Sequence, residues 1–552
     1  MQRRAQLLRP FLRRSMATVK AAGFPARRVT QHAVVATSNA RPRPNLVPPL
    51  AALVAVATGA TCADGKKGDS AAAYVNWSAT HECHPIRVYE PDSVAEVESI
   101  VAFHHLQKTK LRPMGSGVSP NGLGFSDESI LVLSRLDRIL HIDEAKQQVT
   151  VEGGVVVGDL LAQLRTHGLT LQNVASIREQ TVAGVTQAGC HGTGARIPTM
   201  EEQIVSMDIV TPAGGRVTLS DPLDPRFQLA KCGLGALGIV TQLTLQCVPR
   251  HYLVEHTELI STSQLRQVHL DLLKSNQHVR YMWLPYTDSV VVVTSNPSQS
   301  PTLPPTEPQV PPNLDHRLRP LRVLYADLTR SPPPTSWRFT QLRDALYALD
   351  PLNAAHIARI SQVEVEYWRR SQGTRVALSD DVVGFDCGGQ QLVSEVAFPI
   401  SKDHLDLDFM DALLARIQAN QVPAHTPIEQ RWTARSRAAL SPAQSTDAAA
   451  VFSWVGIILY LQDGGDEAPG ARDATRKYFG KYSNLLEDVM APYGATEHWA
   501  KLEVTSKSAV EIDAIRQRLR ARFAAWEAFK ALRNEWDPHH VLSNEIVDVL
   551  MG

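Results

Sequence analysis

The chain has 552 residues, 44% of them hydrophobic, which is enough for two or more domains with buried cores and leaves no need for disulfide staples. Lysine plus arginine number 56 and aspartate plus glutamate 56; zero net charge argues against a globally basic nucleic-acid binder and an acidic disordered chain. Cys62, Cys83, Cys190, Cys232, Cys247 and Cys387 include no C-x-x-C pair, so a zinc ribbon, a thioredoxin-like site and a secreted disulfide framework are all disfavoured.

The neutral average conceals a lopsided start. The first acidic residue is Asp64, and ten basic residues precede it, from Arg3 to Arg43. Spaced arginines among small and apolar residues are the composition of an organelle transit peptide; a disordered basic arm is the bland alternative. The uncharged run 46–60 (LVPPLAALVAVATGA) is shorter than the about 20 residues a spanning helix needs, and Pro48 and Pro49 break it. It reads as a membrane-sorting element near a processing site. Setting aside the ten leader cations leaves 46 basic against 56 acidic residues, a body of charge −10 suited to attracting a basic partner.

From Tyr74 the pattern is mixed α and β. Ser93 caps a helix running to about Gln107, with Glu96 completing a capping box and Lys108 and Lys110 at the C-terminus. Strands follow at 148–152, 205–210 and 239–247, and 281–294 reads as a hairpin turning near Thr287 and Asp288. Eleven of the 35 prolines fall between Pro297 and Pro334, which predicts a solvated surface insertion rather than a polyproline ligand. A helix at 339–349, strands at 392–398 and 451–461, and a helical region at 509–535 complete the series.

Glycine clusters carry the first chemical signal. Gly115-Ser116-Gly117-Val118-Ser119 with Asn121 and Gly122 follows a strand-like segment, and Gly189-Cys190-His191-Gly192-Thr193-Gly194 follows Gly184 and Gln187. Such loops present backbone N–H groups to an anion and could cradle a pyrophosphate without lysine or metal; either alone could be an ordinary turn. Gly233 to Gly238 satisfies G-x-G-x-x-G, but a helix-like segment (226–231) precedes it and a strand follows. That order is the reverse of a dinucleotide-binding Rossmann turn, so NAD binding is rejected. No nucleophile elbow, Walker lysine loop or H-E-x-x-H is present. His81-Glu82-Cys83-His84 lacks a second ligand pair, and no metal is expected there.

A second signal is charge at strand spacing. Glu429, Arg431, Thr433 and Arg435 share one face if 427–435 is a strand, and a carboxylate beside a guanidinium can grip hydroxyls and a carbonyl together. Residues 497–503 (EHWAKLE) alternate similarly and offer Lys501 as another cation. The alternative for each is a salt-bridged strand face.

These segments together resemble the galactonolactone dehydrogenase family, flavoproteins of ascorbate synthesis in plants and algae. The resemblance is carried by VNWSATHE (75–82), GSGVSPNG (115–122), LTLQNVASIREQ (169–180), GCHGTGARIP (189–198), KCGLGALG (231–238), GFDCGGQQ (384–391), PIEQRWTARS (427–436), FSWVGII (452–458), EHWAK (497–501) and LSN (542–544). Only the leader and the proline-rich segment 297–334 match poorly. It implies an α+β fold: a two-part FAD-binding domain of the vanillyl-alcohol-oxidase type, residues 75–255 with 506–552, around a substrate cap, 256–505. Residues 1–63 would be a mitochondrial leader.

The resemblance further implies that FAD contacts Gly115, Ser116, Gly117, Val118, Ser119, Asn121, Gly122, Gly184, Gly189, His191, Gly192, Thr193, Gly194, Gly238 and Ile239. Some relatives carry a histidine bonded to the flavin where Val118 stands, so the FAD here is expected to be non-covalent. Relatives that react well with oxygen often have glycine at the place of Ala175, which favours a dehydrogenase. Glu429, Arg431 and Lys501 match the residues that bind the aldonolactone and assist its oxidation, with Ser176 beside them. The stretch 452–460 holds no histidine, which leaves the catalytic base open. The family further implies cytochrome c as electron acceptor and a mitochondrial location facing the intermembrane space or on the inner membrane. It also implies a role in assembling respiratory complex I, beside or instead of catalysis; an oxygen-using gulono- or arabinonolactone oxidase is the enzymatic alternative. Cys387 would be oxidation-sensitive or simply packed.

Overall fold

The computed structural model describes residues 73–303, 308–385, 390–400, 405–461 and 469–551. The predicted leader, its apolar run and Cys387 lie outside the described residues. Contacts divide the chain into Met1–Tyr74 and Val75–Gly552, and the elements below belong to the second unit. Among the described residues no helix is long and apolar enough to cross a membrane.

One sheet is parallel and three-stranded: β1 (Arg87–Tyr89), β2 (Arg112–Met114) and β3 (Ser129–Val132), in the order β1-β3-β2. Helix α1 (Val94–Gln107) links β1 to β2. Ser93 Oγ accepts the Glu96 N–H at 3.2 Å, and the Glu96 carboxylate takes the N–H of Asp92 at 2.8 Å. The predicted capping box thus forms with its return bond displaced by one residue. A five-stranded antiparallel sheet holds the next predicted strands, in the order β7-β6-β8-β5-β4: β4 (Ile139–Asp143), β5 (Gln148–Glu152), β6 (Ile204–Thr211), β7 (Gly215–Leu219) and β8 (Ile239–Gln246). Between them run α2 (Val157–Thr166), α3 (Val182–Gln187) and α4 (Pro225–Ala230). The G-x-G-x-x-G segment joins α4 to β8, the helix-to-strand order that the sequence predicts. Gly238 there is forced by packing, because a Cβ would lie 2.4 Å from Ile209 Cγ1.

The largest sheet is antiparallel and eight-stranded: β9 (Tyr252–Ser261), β10 (His278–Trp283), β11 (Ser289–Ser298), β12 (Gly373–Leu378), β13 (Gln391–Pro399), β14 (Ile428–Ala434), β15 (Val451–Tyr460) and β16 (Thr496–Glu497). Its order is β12-β9-β11-β10-β14-β15-β13-β16. The hairpin expected at 281–294 is β10–β11. Mixed helices and sheets of this arrangement make an α+β fold.

The proline-rich segment departs from expectation. Instead of a solvated loop throughout, it contains a helix, α6 (Leu314–Thr329), which follows α5 (Thr262–Ser275) in the chain. Leu318, Leu321 and Leu324 repeat at helical spacing and are buried against Leu342 and Leu346 of α7 (Phe339–Leu349) and Ile357 and Ile360 of α8 (Ala354–Arg369). Pro320 sits inside this helix without an N–H for the carbonyl one turn back, that of His316. Arg370 Nη1 donates to that carbonyl instead, at 3.1 Å. The C-terminal helical region is likewise interrupted, as α11 (Ala509–Arg522) and α12 (Trp526–Trp536), which follow α9 (Leu405–Ala419) and α10 (Pro469–Met490); a last helix, α13 (Glu545–Met551), was not expected.

One buried cation ties three distant segments together. Arg112, 2% exposed, donates from Nε to Leu123 O (2.8 Å), from Nη1 to Leu542 O (2.7 Å) and Gly235 O (3.3 Å), and from Nη2 to Leu234 O (2.6 Å). Removing it leaves these carbonyls desolvated and without their donor. Arg112→Met is expected to lower unfolding stability by about 3–5 kcal/mol in denaturant titrations. Arg135→Met, which breaks solvent-facing pairs with Asp92 and Glu90, should change it by less than about 1 kcal/mol.

Candidate active site

A cavity of about 300 Å³ opens where the glycine loops meet the eight-stranded sheet. Its lining includes Val118 and Ser119 from the first loop, Ala175 and Ser176, His191 from the second, and Glu395, Glu429, Arg431, Gly456, His498 and Lys501. Strand register puts the carboxylates there. Glu429 of β14 pairs with Gly456 of β15, and Gly456 pairs with Glu395 of β13, so the two acids flank a residue with no side chain.

The charged groups form one network. Arg431 Nε lies 3.3 Å from Glu429 Oε2, and its Nη2 lies 3.2 Å from Glu395 Oε1. Lys501 Nζ pairs with Glu395 Oε2, and His191 Nε2 lies 3.3 Å from the same oxygen. Arg280 Nη1 stands 3.7 Å from Glu429 and stacks over the Phe385 ring at 3.9 Å. His191 lies flat on Trp454, centroids 3.7 Å apart. Burial pulls the His191 imidazole down to about 4, with Arg431 and Lys501 adding to the shift, and burial holds His498 well below its usual range. Burial opposes the charge of Glu395, but Lys501, His191 and Arg431 outweigh it and keep its carboxyl well below the usual carboxylate range. With both histidines neutral at pH 7, three cations face two carboxylates, and this end of the cavity keeps one positive charge. At the other end Arg343 lies 4.1 Å over the Tyr460 ring, beside Glu364, whose carboxyl burial pushes upward.

A smaller cavity of about 60 Å³ shares Val118, Ser119 and Gln180 with the first and is lined by Gly115, Ser116, Gly117, Asn121, Thr181 and Gly184. Among the described residues no protein acceptor meets the backbone N–H groups of Ser116, Gly117, Val118 or Ser119. Ser116 Oγ is buried without a partner, and Gly117 takes φ +68°. Unpaired donors on a tight loop without lysine or carboxylate suit a pyrophosphate, so these residues fit FAD. The loop is held from three sides. Asn76 Nδ2 donates to Ser119 O (2.9 Å), Asn121 Nδ2 to Trp499 O and Leu502 O (2.8 Å each), and Asn544 Nδ2 to Gly122 O (3.1 Å). His81 adds a latch, with Nδ1 3.1 Å from Pro120 O and Nε2 2.9 Å from Glu503.

Of the residues singled out from sequence, Gly115 to Ser119, Asn121 and Gly184 line the small cavity, and Val118, Ser119, Ala175, Ser176, His191, Glu429, Arg431 and Lys501 the large one. Gly122, Gly189, Gly192, Thr193, Gly194, Gly238 and Ile239 line neither. Thr193 Oγ1 donates to Val279 O, and the Gly194 N–H to Trp432 O, so this part of the second loop fastens to the large sheet. Ile239 is buried in a core cluster with Val97, Leu111 and Leu131. Thr433 follows Arg431 on the same face of β14, whereas Arg435 lies beyond the strand and donates to Ser445 O. Residues 497–503 are not the alternating strand that the sequence suggests. After Glu497 the chain turns, with Lys501 N–H donating to His498 O, and the turn rather than the pleat delivers Lys501.

Glu395, His498, Arg280 and Trp454 escaped the sequence reading. Glu395 is the lone acid in the strand QLVSEVAFP, a pattern that does not by itself mark a site, whereas His498 stands inside the quoted EHWAK and was a visible signal.

Residues 85–220 match the FAD-binding domain family, and residues 243–550 match the family described as D-arabinono-1,4-lactone oxidase. The chain is 44% identical over 496 residues to "L-galactono-1,4-lactone dehydrogenase 2, mitochondrial" of Oryza sativa subsp. japonica, covering 87% of this chain and 84% of that one. The chain belongs to the L-galactono-1,4-lactone dehydrogenase family. The Arabidopsis thaliana member is 43% identical over 86% of this chain and 80% of its own. More distant kin of the family include the L-gulonolactone oxidase of Bos taurus, 27% identical over 86% of this chain and 97% of that one. Cholesterol oxidase from Brevibacterium sterolicum shares the fold, with TM-score 0.68 at 16% identity over 87% of this chain and 96% of that one. The family's cofactor is FAD, which the loop geometry accommodates.

The latch has an acid signature. Burial opposes the charge of Glu503, but His81 and Thr505 outweigh it and bring its carboxyl from 4.5 down to about 2. A lowered carboxyl stabilises the fold fully above pH 4.5, and that contribution disappears as pH falls toward 2. Thermal melts at pH 7, 5 and 3 should therefore show Glu503→Gln less stable than the parent at neutral pH. At pH 3 the gap should be well under its neutral value, as the parent begins to lose what the variant never had.

Proposed function

We propose that this protein oxidises L-galactono-1,4-lactone at the C2 hydroxyl to the ketolactone that enolises to L-ascorbate. FAD, bound along the glycine loops, supplies the hydride acceptor. The observation that carries this reading is the single excess positive charge at Arg431 and Lys501, on a cavity continuous with the unpaired donors of the glycine loop. A lactone carbonyl and a hydroxyl losing its proton are both electron-rich, and preorganised cations in a buried site stabilise charge developing there.

In this reading Arg431 and Lys501 orient the lactone and stabilise the forming alkoxide, and Ser176, 3.5 Å from Arg431 Nη1, closes that side. Glu429, with a side chain 22% exposed against 3% for Glu395, has an edge open to ring hydroxyls and is the proton acceptor. Val118 lines both cavities and offers no nucleophilic nitrogen, which supports a non-covalent FAD. The Ala175 methyl stands at the cavity wall, where it would hinder oxygen more than hydride transfer. The division into an FAD domain (75–255 and 506–552) and a substrate cap (256–505) follows from the same reading. So do mitochondrial import, residence in the intermembrane space and transfer of electrons to cytochrome c, drawn by the −10 body. The assembly of complex I would be a second role.

Protein starting at Asp64 should be yellow, release free FAD on denaturation, and reduce cytochrome c when given galactonolactone; flavin retained by the denatured chain, or fast reoxidation by oxygen, contradicts the reading. Arg431→Ala should cut kcat/KM for the lactone by at least about 100-fold with FAD content unchanged. Ala175→Gly should speed reoxidation by oxygen and leave reduction by the lactone within a few-fold, as stopped-flow absorbance would record.

A further inference from the structure

Glu395 has no part in binding the lactone in the account above, yet Arg431, Lys501 and His191 all converge on its carboxylate. It is 2% exposed on β13, and each carboxylate oxygen holds a cation, Arg431 on Oε1 and Lys501 on Oε2. Its backbone carbonyl accepts the His498 N–H at 2.9 Å, which anchors the turn carrying Lys501. The groups facing it are Arg431 and, through Arg431, Glu429 from β14, Lys501 and His498 from the turn after β16, and His191 from the second glycine loop. Gly456 on β15 leaves the space it fills, since a Cβ there would already touch Glu395 Oε1 at 3.6 Å and any larger side chain would displace the carboxylate.

We propose that Glu395 is the positioning residue of this site: by holding Arg431 and Lys501 on its two oxygens it fixes both cations against the cavity and limits their excess to one positive charge. The inference rests on the lactone-oxidising reading. Arg431 and Lys501 come from segments 70 residues apart in sequence and share no direct bond, so Glu395 is the link between them. Without it the two cations would repel each other across a buried wall and turn away.

The test uses FAD-loaded enzyme with two variants that separate charge from geometry. Glu395→Gln removes the anion. It should lower kcat/KM for galactonolactone at least tenfold, because neither cation keeps its fixed direction toward the cavity. It should also bind the monoanion L-galactonate at least threefold more tightly, read by flavin absorbance. Glu395→Asp keeps the charge but draws it back by one methylene, so the affinity for galactonate should stay within twofold of the parent while kcat/KM falls. Gly456→Val, which displaces an intact Glu395, should behave like the aspartate variant. Both Glu395 variants within threefold of the parent in kcat/KM, with galactonate affinity unchanged in each, would overturn the proposal. So would equal loss of flavin and of solubility in both, which would make Glu395 a folding residue. A parent inactive on every aldonolactone would refute the lactone reading alone, because the galactonate titration would still report whether Glu395 sets the charge.

Discussion

The two-residue repeat of one central strand governs the site. β14 lies between β10 and β15, and its alternation sends Glu429, Arg431 and Thr433 to the cavity face and Gln430 and Trp432 to the other. A one-residue slip would exchange the two sets, so both faces must agree on the register. The hidden face enforces it. Trp432 Nε1 donates to Asp406 Oδ2 at 2.8 Å, His269 Nε2 lies 3.0 Å from the same oxygen, and Trp283 Nε1 donates to Gln430 Oε1 at 2.9 Å. All of these groups are buried. Their polar atoms would be costly to leave unpaired, which makes the register of β14 strongly specified by atoms that never meet the cavity.

The same desolvation logic explains the composition of the cavity wall. A lone buried guanidinium or ammonium would be costly; a wall in which each cation had its own carboxylate would carry no net field. Three cations against two carboxylates is the compromise the strands reach, and the neutral histidines add polar bulk without charge. Trp454 matters here as well. Its ring lies flat against His191 while its Nε1 donates to Thr433 at 2.9 Å, so an indole on β15 locks the second glycine loop to the cavity face of β14.

Much of this was legible in the sequence where the signal is local. Ser93 and Glu96 mark a helix start because capping is a matter of three residues. QVTVE and IVTQLTLQ read as strands because period-two alternation is written along a single segment. The reversed order around Gly233 to Gly238 was legible for the same reason. Glu395 was not, because one acid in an apolar strand acquires meaning only through the pairings β13–β15 and β15–β14, which no single segment encodes. The helix α6 was obscured by proline content: only the carbonyl of His316 loses its donor to Pro320, and a distant arginine supplies the replacement. In EHWAK the alternation was real as a pattern but overruled after His498, whose carbonyl accepts the N–H groups of Lys501 and Leu502 and so closes a turn.

Gly456 shows how these levels meet. Glycine inside a strand weakens it by roughly 0.5–1 kcal/mol relative to alanine, and in a sheet interior it usually marks a close approach by something else. Here the approach is by the Glu395 carboxylate of β13, whose Oε1 would lie 3.6 Å from a Cβ at this position. Strand spacing puts the backbones of β13 and β14 about 10 Å apart across β15, too far for two glutamates to share one cation unless the ground between them is clear. With no side chain at position 456, a single guanidinium spans the gap, Nε on Glu429 and Nη2 on Glu395. The weakness left in β15 is thus the condition for Arg431 to be held at both ends, and a cation held at both ends keeps a fixed direction toward the cavity.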